Sequence, residues 1–273
     1  MLLFFLPVVT ACAGIYSTPN GNERAEVLAS TAGWKKQWLE SKPFPLLSYV
    51  PSKVPRSRKE LAIYIEGDGL AWLSKDRISP DPTPRNPVAL KLALRHPPEW
   101  PAVYLARPCQ YGNIAHRPPC RPEYWTRKRF SPEVIAATQS AIDHLMGQFG
   151  AKKAILIGYS GGGAVAALVA AERRDIAKLI TVVSNLDHRA WTSHHRVTPL
   201  RGSLNPADNW EALQNIPQYH LVGSDDPIVP PLVVEAYRRR FPPEERPPAR
   251  IIPGFGHRCC WVEHWPTLLE KDL

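Results

Sequence analysis

The chain has 273 residues, 44% of them hydrophobic, enough to close one large core, and no internal repeat or low-complexity tract divides it. Its formal net charge is +9, from 34 Lys and Arg against 25 Asp and Glu. The basic residues are scattered through both halves without a dense basic helix, which argues against specific nucleic-acid binding and fits a solvated surface with some attraction to an anionic envelope.

The amino end, MLLFFLPVVTACAG, is apolar, closes on small residues and a cysteine, and is too short to span a bilayer, so residues 1–12 read as an export signal. Val9, Thr10, Ala11 and Cys12 resemble the lipobox of bacterial lipoproteins, in which signal cleavage leaves the cysteine as a lipid-modified first residue. The resemblance implies lipidation at Cys12, a membrane tether through that lipid, and a periplasm-facing place in the cell envelope. A secreted or soluble periplasmic form is the alternative. The match departs from the pattern in having nothing positive ahead of Leu2 except the amino terminus.

Residues 13–58 predict an amino-terminal arm packed on the domain. NERAEVLASTAGWKKQWLES has apolar residues at roughly helical spacing, and KPFPLLSYVPSKVPRS is an extended lead-in bounded by prolines. The domain proper, 59–273, alternates short apolar runs with helical segments. LAIYIEG and AVYLARP predict buried strands, and SPEVIAATQSAIDHLMGQFG predicts a helix with Ser131 as N-cap and Gly150 as its stop. Strand AKKAILIGYS, helix GGAVAALVAAERR, and strands KLITVVSN and QYHLVGS follow. Helix PLVVEAYRRRF, strand ARIIPG and a last helix near WVEHWPTLLEKDL complete the chain. This alternation predicts an α/β fold, a mainly parallel central sheet with helices on both faces. The 30 prolines cluster between these runs and leave them intact.

Ser160, in AILIGYSGGGAVAALVA, sits where a strand must reverse into a helix, with Gly158 and Gly162 two positions to either side. Such a G-x-S-x-G turn is tight, needs glycines, and lifts the serine above the sheet edge beside the free N–H groups of a helix start. A nucleophile attacking a carbonyl needs that setting, although the same turn also serves for close packing or phosphate binding. A serine hydroxyl further requires a base and a group to orient it. HLVGSDDPIVPP and IIPGFGHRCCW each end a strand and supply an acid and a glycine-flanked histidine, so the order Ser, Asp, His falls on one rim of a parallel sheet.

On these motifs the chain from about Leu61 onward resembles the α/β-hydrolase superfamily, with a short or minimal cap. The resemblance implies Ser160 as nucleophile, His257 as base, and Asp226 ahead of the Val-Pro pair, rather than Asp225, as the acid. It implies oxyanion-hole N–H groups from Gly161 and from the loop after an early strand, which often begins His-Gly in the superfamily. Here that loop reads YIEGDGLAW, with Glu66 in the histidine's place and Asp68 as the second donor. A carboxylate at Asp68 would oppose a developing oxyanion unless it turns away, or else its neighbour is the donor.

The segment after Asn185 carries His188, Trp191 and His195 as candidates for lining a substrate pocket, an anchored polar loop being the alternative. The loop from Arg107 to Phe130 leaves the same rim as Ser160, and its length and its Tyr, Trp and Arg content predict a wall of the active-site mouth that includes Tyr111. In an oxidising compartment Cys109 and Cys120 form a natural short-loop disulfide, whereas the adjacent Cys259 and Cys260 close only a strained ring, and links between the two groups stay open. Adjacent cysteines converge poorly on a tetrahedral metal, so HRCCWVEH predicts no metal site. No cofactor is implied. The expectation is a serine hydrolase of esterase type acting through an acyl-enzyme on a small-molecule or lipid-like ester. Thioesterase, amidase or acyltransferase chemistry uses the same residues, and a non-catalytic envelope lipoprotein would keep the fold as a binding surface. Oligomeric state is left open.

Overall fold

The structure, a computed structural model, describes residues 20–53 and 59–272; Cys12 and the lipobox lie outside the described residues. Its strands are β1 (Trp34–Leu39), β2 (Leu46–Pro51), β3 (Glu60–Ile65), β4 (Ala102–Leu105), β5 (Lys153–Tyr159), β6 (Ile176–Val182), β7 (Gln218–Gly223) and β8 (Ala249–Ile252). Its α-helices are α1 (Gly21–Thr31), α2 (Val88–Ala93), α3 (Pro132–Phe149), α4 (Gly161–Glu172), α5 (His188–His195), α6 (Trp210–Leu213), α7 (Pro231–Arg238) and α8 (Trp261–Asp272). The strands make one sheet in the order β1-β2-β4-β3-β5-β6-β7-β8, parallel from β4 to β8 and antiparallel at β1, β2 and β4.

Alternation along the central strands divides the core in two. Leu61, Ile63, Ile65 and Leu156 pack with α3 and α4 on one face, while Ala62, Tyr64, Ile155 and Ile157 pack with α1, α2 and α8 on the other. Gly161 through Ala170 of α4 are all buried, which suits a helix built of Gly, Ala and Val wedged centrally against β5 and β6. On the opposite face Trp261 and Trp265 of α8 are wholly buried, the kind of anchor whose truncation to Ala costs about 3–5 kcal/mol.

Within the predicted arm, the described residues differ from the helical spacing at one segment. WKKQWL is not helical but forms β1, paired along its length with β2, so this segment extends the central sheet instead of resting on it. A capping box at Asn20 and Glu23 starts α1, and a two-residue turn through Gly33, at φ 73°, separates it from β1.

Candidate active site

Ser160 stands between β5 and α4 with φ 53° and ψ −123°, a strained left-handed backbone held by its neighbours. A Cβ at Gly158 would come within 2.3 Å of Gly163 Cα, and one at Gly162 within 2.3 Å of the Ile65 carbonyl oxygen. Only glycine fits at either position, so these two residues set the turn.

The loops after β7 and β8 bring two partners to this serine. His257 Nδ1 lies 2.8 Å from Asp226 Oδ2, and its Nε2 lies 3.1 Å from Ser160 Oγ. An ionised carboxylate only accepts, so Nδ1 carries the proton and Nε2 is free to accept the serine O–H. The other Asp226 oxygen accepts the backbone N–H of Ile228 at 2.7 Å and of Val229 at 2.9 Å, which fixes the carboxylate in a wholly buried position. Asp225 points elsewhere: it is exposed and accepts from the Ser224 hydroxyl. The His257 loop is pinned in turn, since the Tyr159 hydroxyl donates to the His257 carbonyl and Trp261 Nε1 donates to the Gly256 carbonyl.

The loop after β3 reaches the same place. A Cβ on Gly67 would fall 3.3 Å from Ser160 Cβ, so the backbone of this loop rests directly on the serine. Neither the Gly161 N–H, first in its helix, nor the Asp68 N–H meets a backbone or side-chain acceptor among the described residues. The Asp68 carboxylate does not turn out to solvent. It lies over Gly161, with Oδ1 3.2 Å from Arg107 Nη1 and Oδ2 2.7 Å from Arg129 Nη1. Burial pushes its pKa upward, and the two guanidiniums, Arg129 foremost, outweigh that and hold it below the ordinary carboxylate range.

Glu66, in the place of the expected histidine, is buried behind the loop. One oxygen accepts the N–H groups of Gly67 at 2.9 Å and Ala89 at 3.4 Å, and the other faces the Tyr104 hydroxyl at 3.3 Å. Burial raises its pKa to about 7 against those hydrogen bonds.

Two of the pocket candidates fall elsewhere. Tyr111 is buried beneath β4, its hydroxyl 3.0 Å from that of Tyr104 and its N–H donated to the Thr83 hydroxyl, so it is a core residue and not a pocket wall. His188 is buried against the Phe130 ring and borders a separate hollow with Arg196 and Leu200. Trp191 does face the cleft, its indole N–H donated to the Ile228 carbonyl and its ring 6.0 Å from the Arg129 guanidinium. His195 meets the same Ile228 carbonyl at 2.9 Å.

The segment from Arg107 to Phe130 is mostly interior as well. Cys109 and Cys120 are joined as a disulfide, and Cys259 and Cys260 lie side by side across a cis peptide bond. Of the stapled segment only Arg129 reaches the cleft; Arg107 binds Asp68 and the Arg129 carbonyl, and Gln110 donates to the Gly67 carbonyl at 3.0 Å. The segment therefore braces the loop of Gly67 and Asp68 from behind. Arg107 and Arg129 lie 39 and 61 residues from Asp68 in sequence, a separation no local motif spans. Among the described residues no three His, Cys, Asp or Glu side chains converge as metal ligands would.

The cleft above Ser160 holds about 490 Å³ and is bordered by Gly67, Asp68, Trp72, Asn185, Trp191 and His257. Neither a protein-family model nor a curated protein sequence matches the chain. Solved structures do resemble it. An esterase from Pyrococcus furiosus superposes with a TM-score of 0.60 at 13% identity over 93% of this chain and 95% of its own. A lidless α/β serine hydrolase from Xanthomonas campestris gives 0.56 at 15% identity over 88% and 95%, and a membrane phospholipase A described as a bacterial virulence factor gives 0.56 at 14% over 90% and 89%. At such identities the likeness is one of architecture: the chain has the α/β-hydrolase fold, with a mostly parallel eight-stranded sheet carrying Ser160, Asp226 and His257 along one rim.

Proposed function

We propose that the protein is a serine hydrolase that cleaves carboxylic esters through an acyl-enzyme on Ser160. The observation that carries this reading is the unbroken hydrogen-bond chain from Ser160 Oγ through His257 to the buried Asp226. As Oγ attacks the ester carbonyl carbon, its proton passes to His257 Nε2, and Asp226 stabilises the imidazolium that forms. The carbonyl oxygen becomes an oxyanion, for which the N–H groups of Gly161 and Asp68 are the donors. Collapse of the tetrahedral species breaks the carbon–oxygen bond to the leaving alcohol, which takes the proton from His257. Water then repeats the sequence on the acyl-enzyme and releases the acid.

A fluorophosphonate probe tests this directly. The folded protein should be labelled at Ser160, and Ser160→Ala should lose both labelling and turnover of p-nitrophenyl acetate. Asp226→Asn should slow turnover by about 10³–10⁴-fold while Asp225→Asn stays near the parent, because only the former sets the histidine tautomer. An unlabelled, well-folded protein, or equal losses at the two aspartates, would overturn the assignment.

The protein is further proposed to be exported and held at a membrane through lipid on Cys12. The Val9–Cys12 sequence supports this, as does a Cys109–Cys120 disulfide suited to an oxidising compartment. Cys12→Ser should yield an unprocessed or soluble form in bacterial fractions. The same mature mass in the same membrane fraction would refute the anchor.

A further inference from the structure

The reading of Ser160 as nucleophile leaves the substrate open, and the cleft's charges narrow it. We propose that the cleft selects esters bearing an anionic group, which Arg85 and Arg258 receive. Both arginines border the Ser160 cleft, Arg85 on the segment leading into α2 and Arg258 immediately after His257. Both are exposed, and among the described residues neither forms an ion pair.

The carboxylates nearby are already engaged. Asp68 is held between Arg107 and Arg129, Asp226 is enclosed by His257 and two backbone N–H groups, and Glu66 is buried on Gly67, Ala89 and Tyr104. Tyr159, which borders the cleft with Arg258, has its phenol pKa raised by burial and stays neutral. The free charge facing the cleft is therefore positive.

A second observation concerns polarity. Asn185 borders the cleft, is 4% exposed, and its Oδ1 has no hydrogen-bond partner. A wholly hydrocarbon occupant would leave that amide oxygen buried and unpaired, a costly state that only a hydrogen-bond donor on the substrate relieves, so Asn185 speaks for a polar occupant while the arginines alone speak for its anion. Trp72 and Trp191 supply apolar walls beside these groups, so the substrate combines an apolar body with a charged end.

The anion sits on either the acyl or the alcohol half of the ester, and two charged–neutral pairs separate these. Mono-p-nitrophenyl glutarate is compared with p-nitrophenyl valerate, and para-acetoxybenzoate with its methyl ester, each rate normalised to the hydroxide reaction. An exposed ion pair contributes a few-fold in binding, so two should favour the anionic member of one pair by about tenfold in kcat/KM at low salt. That preference should fall with added salt and disappear in Arg85→Gln/Arg258→Gln. Lys152→Gln/Lys153→Gln, two exposed charges at the opposite end of β5 from Ser160, should retain it. The proposal falls if the neutral member is preferred in both pairs, if the arginine double variant keeps the preference, or if the lysine control loses it equally. Fluorophosphonate labelling run alongside separates the two readings: labelled protein without anion preference refutes this inference alone, whereas unlabelled folded protein refutes the nucleophile and this inference with it.

Discussion

Gly161→Ala is the substitution on which the geometry bears most sharply. A Cβ there would stand 2.1 Å from Asp68 Oδ1, 2.5 Å from its Cγ and 2.8 Å from its Oδ2. Carbon contacts settle near 3.5–4.0 Å, so more than an ångström of separation must open. Asp68 does not yield freely, because Arg107 and Arg129 grip both of its oxygens and Gln110 grips the preceding carbonyl. Either an ion pair is broken or the Gly67–Asp68 loop moves off the start of α4, and in both cases the two proposed oxyanion donors separate. Loss of one aligned donor costs about 10²–10³-fold in kcat, equivalent to roughly 3–4 kcal/mol. The expected result is a fall of about that size on p-nitrophenyl acetate, KM little changed, with fluorophosphonate labelling slowed in parallel. The double variant with Asp68→Ala distinguishes the cause: with the carboxylate gone, adding the Gly161 methyl should cost far less than it does in the parent. A kcat within threefold of the parent, or simple additivity of the two changes, would refute the reasoning.

Other outcomes follow from the same contacts. Glu66 binds its proton more tightly when folded, with a pKa of about 7 against an ordinary value of 4.5, so the stability its protonated form contributes is complete below about pH 4.5 and is lost as pH rises to about 7. Over that window native-state stability should fall by about 3 kcal/mol from this group, and Glu66→Gln, followed by chemical denaturation at a series of pH values, should flatten the fall; an unchanged profile would refute it. Cys109→Ser/Cys120→Ser should lose about 3 kcal/mol by the loop-entropy model and, because Arg107 and Gln110 stand in the stapled segment, should lower kcat in folded protein. A change confined to substrate selectivity would instead make this segment the cleft wall that its composition suggests.

The parts of the fold legible in the sequence are those whose cause is local. Buried strands show as continuous apolar runs, and the strand-to-helix turn at Ser160 shows in its glycines because backbone collides with backbone there. The Val-Pro pair after Asp226 marks the turn whose N–H groups at Ile228 and Val229 hold that carboxylate, which is why spacing separates it from Asp225. β1 was not legible in this way. Trp34 and Trp38 lie four residues apart, a spacing that suits a helix face, yet the two also share one face of a strand. Pairing with β2 decides between the two, and pairing is not local. Tyr111 looks like a pocket residue by composition, but its chain folds back so that its hydroxyl meets that of Tyr104 on β4, the strand its own loop leaves, and the contact holds it in the core.

The unusual oxyanion loop makes physical sense only together with the distant segment that braces it. A bare carboxylate over Gly161 would repel the charge that develops on the carbonyl oxygen and would raise the barrier it is placed beside. Two guanidiniums change the sign: Asp68, Arg107 and Arg129 together carry a net positive charge, so on the proposed mechanism the cluster favours the oxyanion while its ion pairs fix the backbone proposed to donate to it. Glu66 completes the arrangement from the other side by accepting the Gly67 N–H, which orients the same peptide chain inward. The acidic residues at 66 and 68 thus stand as anchors for the loop whose backbone is proposed to hold the oxyanion, and the arginines some 40 and 60 residues away are what make acids tolerable there. A neutral replacement of either arginine should therefore harm catalysis more than the loss of Asp68 itself, since the first leaves a less compensated negative charge beside the transition state and the second removes it.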